Sequence, residues 1–482
     1  MTSNSISSAP RRQGAVLAII VASYLMIVID ISIVITGLPK MRESLGMSPA
    51  HLSWVHNAYT LAFGGLLLLS ARVGDLFGRR RMFIAGLALF TMASLVIGLA
   101  PSAILLLAAR GVQGAGAAVL APSTLALLST NFEPGPARTR ALSLYAAAAG
   151  VGATAGLVLG GLFADLVSWR AGFFINLPIG AALIVAARRH IEETPTVTGR
   201  LDVIGAFSST LGMGALVYGI VSAAEHGWTD SITVTSLLVA SILIAGFIAT
   251  ETRASHPILP LRLFANRQRS GAYAARMLFL GGMVGFWFFT TQFLQGVLGY
   301  RPLMAGLAFL PATVPNFAAA LMVPQLTRRL GNARLASTGL AVGALGLAWL
   351  GQAAVGSPYW TAVALPMLLI GVAQGFVLAP LTAAAVADVR SDDAGAASGM
   401  VNVAHQLGGA LGLAVLVVVF AAVDPGGTVG PAALAQRVSA AIDAGALMLL
   451  AALAVALATL HRRAAAPARV VRSALPACRS CN

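Results

Sequence analysis

Apolar stretches of about twenty residues recur from one end of this chain to the other, and each is long enough to cross a bilayer as a helix. Hydropathy places fourteen of them, at 14–37, 54–73, 82–100, 103–130, 140–166, 171–190, 201–223, 231–250, 272–297, 303–326, 333–352, 359–383, 397–421 and 439–461. The seventh and eighth are the least sharply bounded. The chain is 58% hydrophobic and 10% charged, against roughly 45–50% and 25% in soluble domains. An ordinary soluble enzyme is excluded. The expected fold class is an all-α polytopic membrane protein, with a short polar segment at 1–13 and a basic, disordered tail at 462–482.

A formal charge of +15 raises nucleic acid as a partner, but its distribution argues against that reading. Of 31 basic residues, 30 are Arg and the other is Lys40, and they sit in short connectors between the apolar runs. With the N-terminus placed inside, the cytoplasmic segments hold 25 of them, counting Arg276 at a helix start. The outer segments hold five: Lys40, Arg42, Arg170, Arg301 and Arg437. Such an imbalance puts both termini in the cytoplasm. Trp54, Trp169, Trp228, Trp349 and Trp360 fall at outer ends, as an interfacial belt would.

The first apolar run is too long for a signal-peptide core, carries Asp30 and has no small-residue cleavage site after it, so it is read as a retained anchor. Cys478 and Cys481 lie in the tail and lack the second ligand pair of a zinc site. No metal or other cofactor is expected. The sequence has no GxxxxGK[ST] loop, so uphill work would draw on an ion gradient or a separate partner rather than on ATP. The run GVGATAG at 150–156 lies inside an apolar helix without a preceding strand and is not a nucleotide loop.

An internal echo divides the chain. VLAPST at 119–124 returns as VLAPLT at 377–382, and FGRRR at 77–81 has a weaker counterpart in LGNAR at 330–334. Parallel repeats of this kind suit a transporter built of two similar halves. The halves would be six-helix bundles at 14–190 and 272–461, with an inserted helix pair at 201–250.

Two intramembrane charges stand out. Asp30 is the acidic residue set deep in a run, and Arg110 its basic counterpart. Such residues usually face a partner or a cavity and mark function. Each lies seven residues from the outer end of its span, roughly 10 Å at 1.5 Å per residue, so the two can pair. A static ion pair is one reading. A proton site is the other, since burial opposes the carboxylate's charge while Arg110 favours it.

The stretch ARVGDLFGRRRMF (71–83) places an acid, a glycine able to turn the chain and three arginines between two apolar runs. It resembles the loop signature of the major facilitator superfamily, G-x-L-x-D-x-x-G-[RK]-[RK], with Ala71 and Leu76 as departures. The resemblance implies a cytoplasmic gate of Asp75, Gly78, Arg79 and Arg80 that latches the halves together. LLLAARGVQGAGAAVLAP (105–122) resembles the superfamily's R-x-x-x-G-x-G signature through Arg110, Gly114 and Gly116. LMIVIDISIVITGLP (25–39), SWRAGFFINLPIG (168–180), FLQGVLGYRPLMAGLAFLP (293–311) and SGMVNVAHQLGGALG (398–412) resemble the fourteen-span drug/proton antiporters of the EmrB/QacA type. Gly152, Gly156 and Gly160 give a bare helix face for close packing. With Gly161 they also resemble that group's G-x-x-x-G-P-x-x-G-G, Leu157 standing where the proline would be.

Polar residues at lipid depth usually face inward. The candidates for a substrate cavity are Asn57, Asn176, Gln292, Gln295, Asn316, Asn402, His405 and Gln406, with Trp287 and Phe286, Phe288 and Phe289 as candidate stacking surfaces. Apart from Asp30 no carboxylate lies deep in a span, which disfavours a dication. The resemblance implies proton-driven efflux of a hydrophobic antibiotic or other toxic small molecule across the bacterial plasma membrane, by a monomer whose partners are the substrate, protons and the lipid bilayer. A proton-coupled importer on the same fold is the alternative, because a fold does not fix direction. A membrane enzyme would need a His, Asp or Cys cluster at one face, and none is found. A scaffold or sensor would need a partner domain, and the short loops offer none.

Overall fold

The computed structural model describes residues 8–132, 136–193, 203–253, 261–387, 389 and 394–461; the side chains of some helical residues, Asp75 among them, lie outside the description. Sixteen α-helices follow one another among the described residues: α1 (Ser8–Leu45), α2 (Pro49–Phe77), α3 (Arg79–Leu99), α4 (Ala103–Asn131), α5 (Pro136–Leu166), α6 (Ala171–Phe174), α7 (Asn176–His190), α8 (Val203–His226), α9 (Ser231–Arg253), α10 (Arg267–Gly296), α11 (Pro302–Leu307), α12 (Leu310–Leu330), α13 (Asn332–Leu350), α14 (Leu365–Ala385), α15 (Ala394–Ala422) and α16 (Pro431–Leu460). A π-helical turn, Trp360–Ala364, leads into α14. No strand occurs among the described residues. Eleven helical stretches there are long and apolar enough to cross a membrane, and Val151–Leu166 and Phe207–Ala223 are shorter apolar helices. The tail expected to be disordered lies outside the described residues.

Local chemistry sets the helix limits. The Ser48 hydroxyl accepts the His51 N–H at the start of α2, and Asn266 Oδ1 accepts the Arg269 N–H at the start of α10, each satisfying a donor that the first turn leaves free. Pro49, Pro302 and Pro431 occupy first-turn positions, where a missing N–H is harmless. Gly78 separates α2 from α3 at φ +98°, a value few side-chain-bearing residues adopt. Gly331, at φ +79°, does the same between α12 and α13. Helix α1 runs past its expected limit of 37 and carries Pro39 inside it.

The same pairings occur twice. α3 packs on α4, α2 on α4 and α1 on α5; farther along, α13 packs on α14, α12 on α14 and α10 on α15. Pro122 inside α4 and Pro380 inside α14 mark the repeated VLAP stretch. Helix α8 lies against α9 and also touches both α2 and α15, one helix from each set. Lipid is as apolar as leucine, so close approach rather than burial of oil holds such helices together. The glycine face of α5 illustrates this. A Cβ on Gly156 would stand 2.6 Å from the Ser32 Cβ and 2.8 Å from the Ile29 oxygen, and one on Gly160 2.5 Å from the Ile33 oxygen, so α1 and α5 meet backbone to backbone.

Two sequence expectations change. Arg276, assigned to a helix start, lies well inside α10, which begins at Arg267, and is 7% exposed. Trp169 is 4% exposed rather than interfacial. Its indole N–H donates to Ser44 Oγ, and Arg170 covers its ring.

Candidate functional site

Asp30 on α1 and Arg110 on α4 meet at 2.8 Å, Nη1 to Oδ2, at 0% and 1% exposure. Asp30 Oδ1 also accepts from Gln113 Nε2 at 2.8 Å and from Asn176 Nδ2 at 2.7 Å. Both amides bond Ser94 Oγ on α3 as well. Arg110 donates through Nε to the Val55 carbonyl of α2 and through Nη1 to Gln113 Oε1, and its guanidinium lies 4.4 Å from the Tyr59 ring centre. One carboxylate therefore ties α1 to α4 and α7, and the two amides carry the network on to α3. Each of the carboxylate's bonds is charge-assisted, the stronger class of hydrogen bond.

Beside this network, but not including it, is a cavity of about 800 Å³. Ile27, Ile31 and Val34 of α1, Phe63 and Leu67 of α2, Pro122 of α4 and Leu157 of α5 form one wall. Arg276, Phe279, Trp287 and Phe288 of α10, Asn316 of α12, Gln374 of α14, and Asn402, His405 and Gln406 of α15 form the other. The amides and the guanidinium among these residues all come from α10, α12, α14 and α15. Asn316 Nδ2 donates to Gln374 Oε1 at 3.4 Å.

Of the eight cavity candidates, the structure brings Asn316, Asn402, His405 and Gln406 to the wall. The other four lie elsewhere. Asn176 is drawn to Asp30, a stronger acceptor than any cavity group. Asn57 is fully buried within the packing of α2. Gln292 is 5% exposed inside α10. Gln295 reaches across to the Thr36 carbonyl of α1 at 3.0 Å. Trp287 and Phe288 line the cavity, whereas Phe286 and Phe289 turn into the core against Phe309 and Phe420. Arg276, Gln374 and Gln113 were not among the sequence candidates. For Arg276 the signal was its place among apolar residues in AARMLFLGG, obscured by the helix boundary chosen there.

The Arg79–Arg81 end has its own anchor. Glu193, just beyond α7, accepts the backbone N–H of Arg80 at 3.0 Å and of Arg81 at 3.1 Å, at the positive end of the α3 dipole. A Cβ on Gly78 would fall 2.5 Å from that carboxylate. Arg80 Nη2 donates to the Arg188 carbonyl. These bonds hold the arginine turn to α7 rather than to the later helices. Asp75, the acid of the expected gate, lies outside the described side chains. At the opposite end the two sets meet closely: Gly161 faces the Pro302 carbonyl, Gly306 faces the Leu157 carbonyl, and Arg301 stands 3.2 Å from Asp165.

Comparison with known proteins fits this arrangement. The model of the Major Facilitator Superfamily matches residues 20–413. A cephamycin export protein of Amycolatopsis lactamdurans is 40% identical over 89% of this chain and 89% of its own length. A puromycin resistance protein of Streptomyces alboniger is 39% identical over 84% of this chain and 81% of its own. Among solved structures, a nucleoside transporter superposes with a TM-score of 0.67 at 13% identity, over 92% of this chain and 99% of that one, a likeness of fold alone. With a match over most of its length, relatives of this similarity and the shared fold, the chain belongs to the Major Facilitator Superfamily.

Proposed function

We propose that this multi-pass bacterial membrane protein exports a hydrophobic antibiotic or related toxic molecule in exchange for incoming protons, by alternating access. The observation that carries the reading is the juxtaposition of an apolar-walled cavity between two sets of helices with a buried acid–base pair just behind one wall. The export and resistance roles named for its relatives support the direction. In this reading the chain crosses the membrane fourteen times with both termini in the cytoplasm. Its halves, 14–190 and 272–461, flank the pair 201–250.

Asp30 carries the proton. Protonation removes the charge that Arg110, Gln113 and Asn176 are arranged around and frees α1 from α4 and α7. Helix α1 also forms part of the cavity wall, and it rests on the glycine face of α5, where few side chains interlock. A change at Asp30 is thus felt at the cavity through one rigid helix. Asp75, Gly78, Arg79 and Arg80 gate the cytoplasmic side.

The test uses everted vesicles carrying the protein or its Asp30→Asn variant, with a proton gradient established and proton release followed by a pH-sensitive fluorophore. Addition of hydrophobic antibiotics should trigger release in the wild type and not in the variant. Release that survives in Asp30→Asn removes Asp30 as the carrier. No release with any of a broad panel, by well-inserted wild-type protein, refutes antiport.

A further inference from the structure

We propose that the cavity takes a ring-bearing organic anion, its carboxylate seated on Arg276 of α10. The inference rests on the export reading for its purpose. The binding preference itself is a property of the cavity.

Among the described residues, Arg110 in the network and Arg276 on the cavity wall are both buried, and they differ in their counter-charge. Arg110 has a carboxylate. Arg276 has none among the described residues: its Nη1 donates to Thr382 Oγ1 at 2.8 Å and to the Leu378 carbonyl at 3.3 Å, and its Nη2 to His405 Nδ1 at 3.1 Å. All three partners are neutral acceptors. The Arg276 Nε–H is buried without a partner. Among the described residues lining the cavity there is no Asp or Glu, and Asp30 behind the wall is already held by three donors. A guanidinium taken out of water with neither counter-charge nor a full set of acceptors is costly. Such a group, at 7% exposure on a cavity wall, is a site for an anion that arrives from outside.

The neighbouring histidine strengthens this. A guanidinium can only donate, so His405 Nδ1 must accept, and the ring proton then sits on Nε2. His405 is neutral in this arrangement and adds a donor without adding an acceptor for a cation. His56 brings a second buried ring nitrogen, Nε2, that has no partner and lies on the same cavity. The remaining surface suits the apolar part of such a molecule: Phe63, Phe279, Trp287 and Phe288 offer ring faces. A carboxylate can match the guanidinium fork, which an ester or an amine cannot do.

The experiment measures equilibrium binding to the full-length protein in lipid nanodiscs, with no ion gradient. The probes form a matched fluorescent series: dansyl-phenylalanine, its uncharged methyl ester, and its cationic ethylenediamine amide. The anion should bind about tenfold or more tighter than the ester, the ratio one gained charge-assisted hydrogen bond provides, and tighter still than the cation. Arg276→Gln should abolish that preference while leaving ester binding. Arg276→Lys, which keeps the charge, should retain part of it and shows that a variant at this position still folds. Anion binding no tighter than the ester, absence of binding by either included, overturns the proposal. So does a preference that persists in Arg276→Gln. Because the readout needs no transport, a failed antiport assay and a failed binding assay are separate outcomes.

Discussion

Replacing Asp30 by Asn leaves most of its hydrogen bonds possible and still should be severe. The amide oxygen can go on accepting from Gln113 and Asn176. What replaces Oδ2 is an NH₂ group facing Arg110 Nη1 at 2.8 Å, donor against donor. The guanidinium keeps the Val55 carbonyl, Gln113 Oε1 and the Tyr59 ring, and loses its charge partner. Breaking a buried pair from one side costs about 3–5 kcal/mol. A guanidinium cannot shed its charge, so Asp30→Asn bears the whole penalty. Removing it in the double variant Asp30→Asn/Arg110→Met should recover about 2 kcal/mol or more, because the introduced amide can then donate to the freed Gln113 Oε1. The assay is the apparent Tm of Asp30→Asn, Arg110→Met, the double variant and the wild type in one detergent, by fluorescence-detected size exclusion. Asp30→Asn should fall by more than about 5 °C, and the double variant should lie above it. A double variant whose loss equals the sum of the two single losses within about 0.5 kcal/mol would refute the reasoning, since the two charges would then not be coupled.

Glycine substitutions should separate by sign. Gly156→Leu pushes α1 from α5 and should lower the apparent Tm, overpacking costing about 1–3 kcal/mol, whereas Gly246→Ala, with nothing within 4 Å, should gain up to about 1 kcal/mol from helix propensity; equal effects would deny the close approach. Glu193→Ala removes the acceptor for two backbone N–H groups at the start of α3 and should cost about 1 kcal/mol, read as faster hydrogen exchange at Arg80 and Arg81 by mass spectrometry. Arg301→Ala should change stability by less than about 1 kcal/mol, because Arg301 is 78% exposed and surface pairs contribute little.

Much of the architecture was legible because hydrocarbon imposes a simple rule of length and apolarity. The Asp30–Arg110 contact followed from counting residues to the ends of two spans, since depth is fixed by rise per residue. Rotation about the helix axis was not legible. In a soluble helix the polar face marks the outside, but here lipid and core are both apolar, so an amide's polarity says only that it faces inward. Asn176 and Asn316 look alike in sequence; one meets a buried carboxylate and the other a cavity. Gln292 and Gln295 differ by less than one turn, yet one stays within the core and the other bonds α1. Arg276 was counted as a topology signal because α10 begins five residues earlier than hydropathy suggested, at Arg267 rather than 272. Glu193 was overlooked because its partners are backbone N–H groups more than a hundred residues away.

The amides and the guanidinium of the cavity wall sit on α10, α12, α14 and α15, while Asp30, Arg110, Gln113, Asn176 and Ser94 sit on α1, α3, α4 and α7. Under the proposed function, the proton-linked groups lie on the earlier helices, and the amides and guanidinium that would meet substrate lie on the later ones, while α1, α2, α4 and α5 still supply the facing wall. In that reading, substitutions on the later helices can alter the polar wall of the cavity without touching Asp30 or its hydrogen-bond partners. Recombination near the inserted pair would exchange the wall that carries Arg276, Asn316, Gln374 and Asn402 and keep the facing, largely apolar wall.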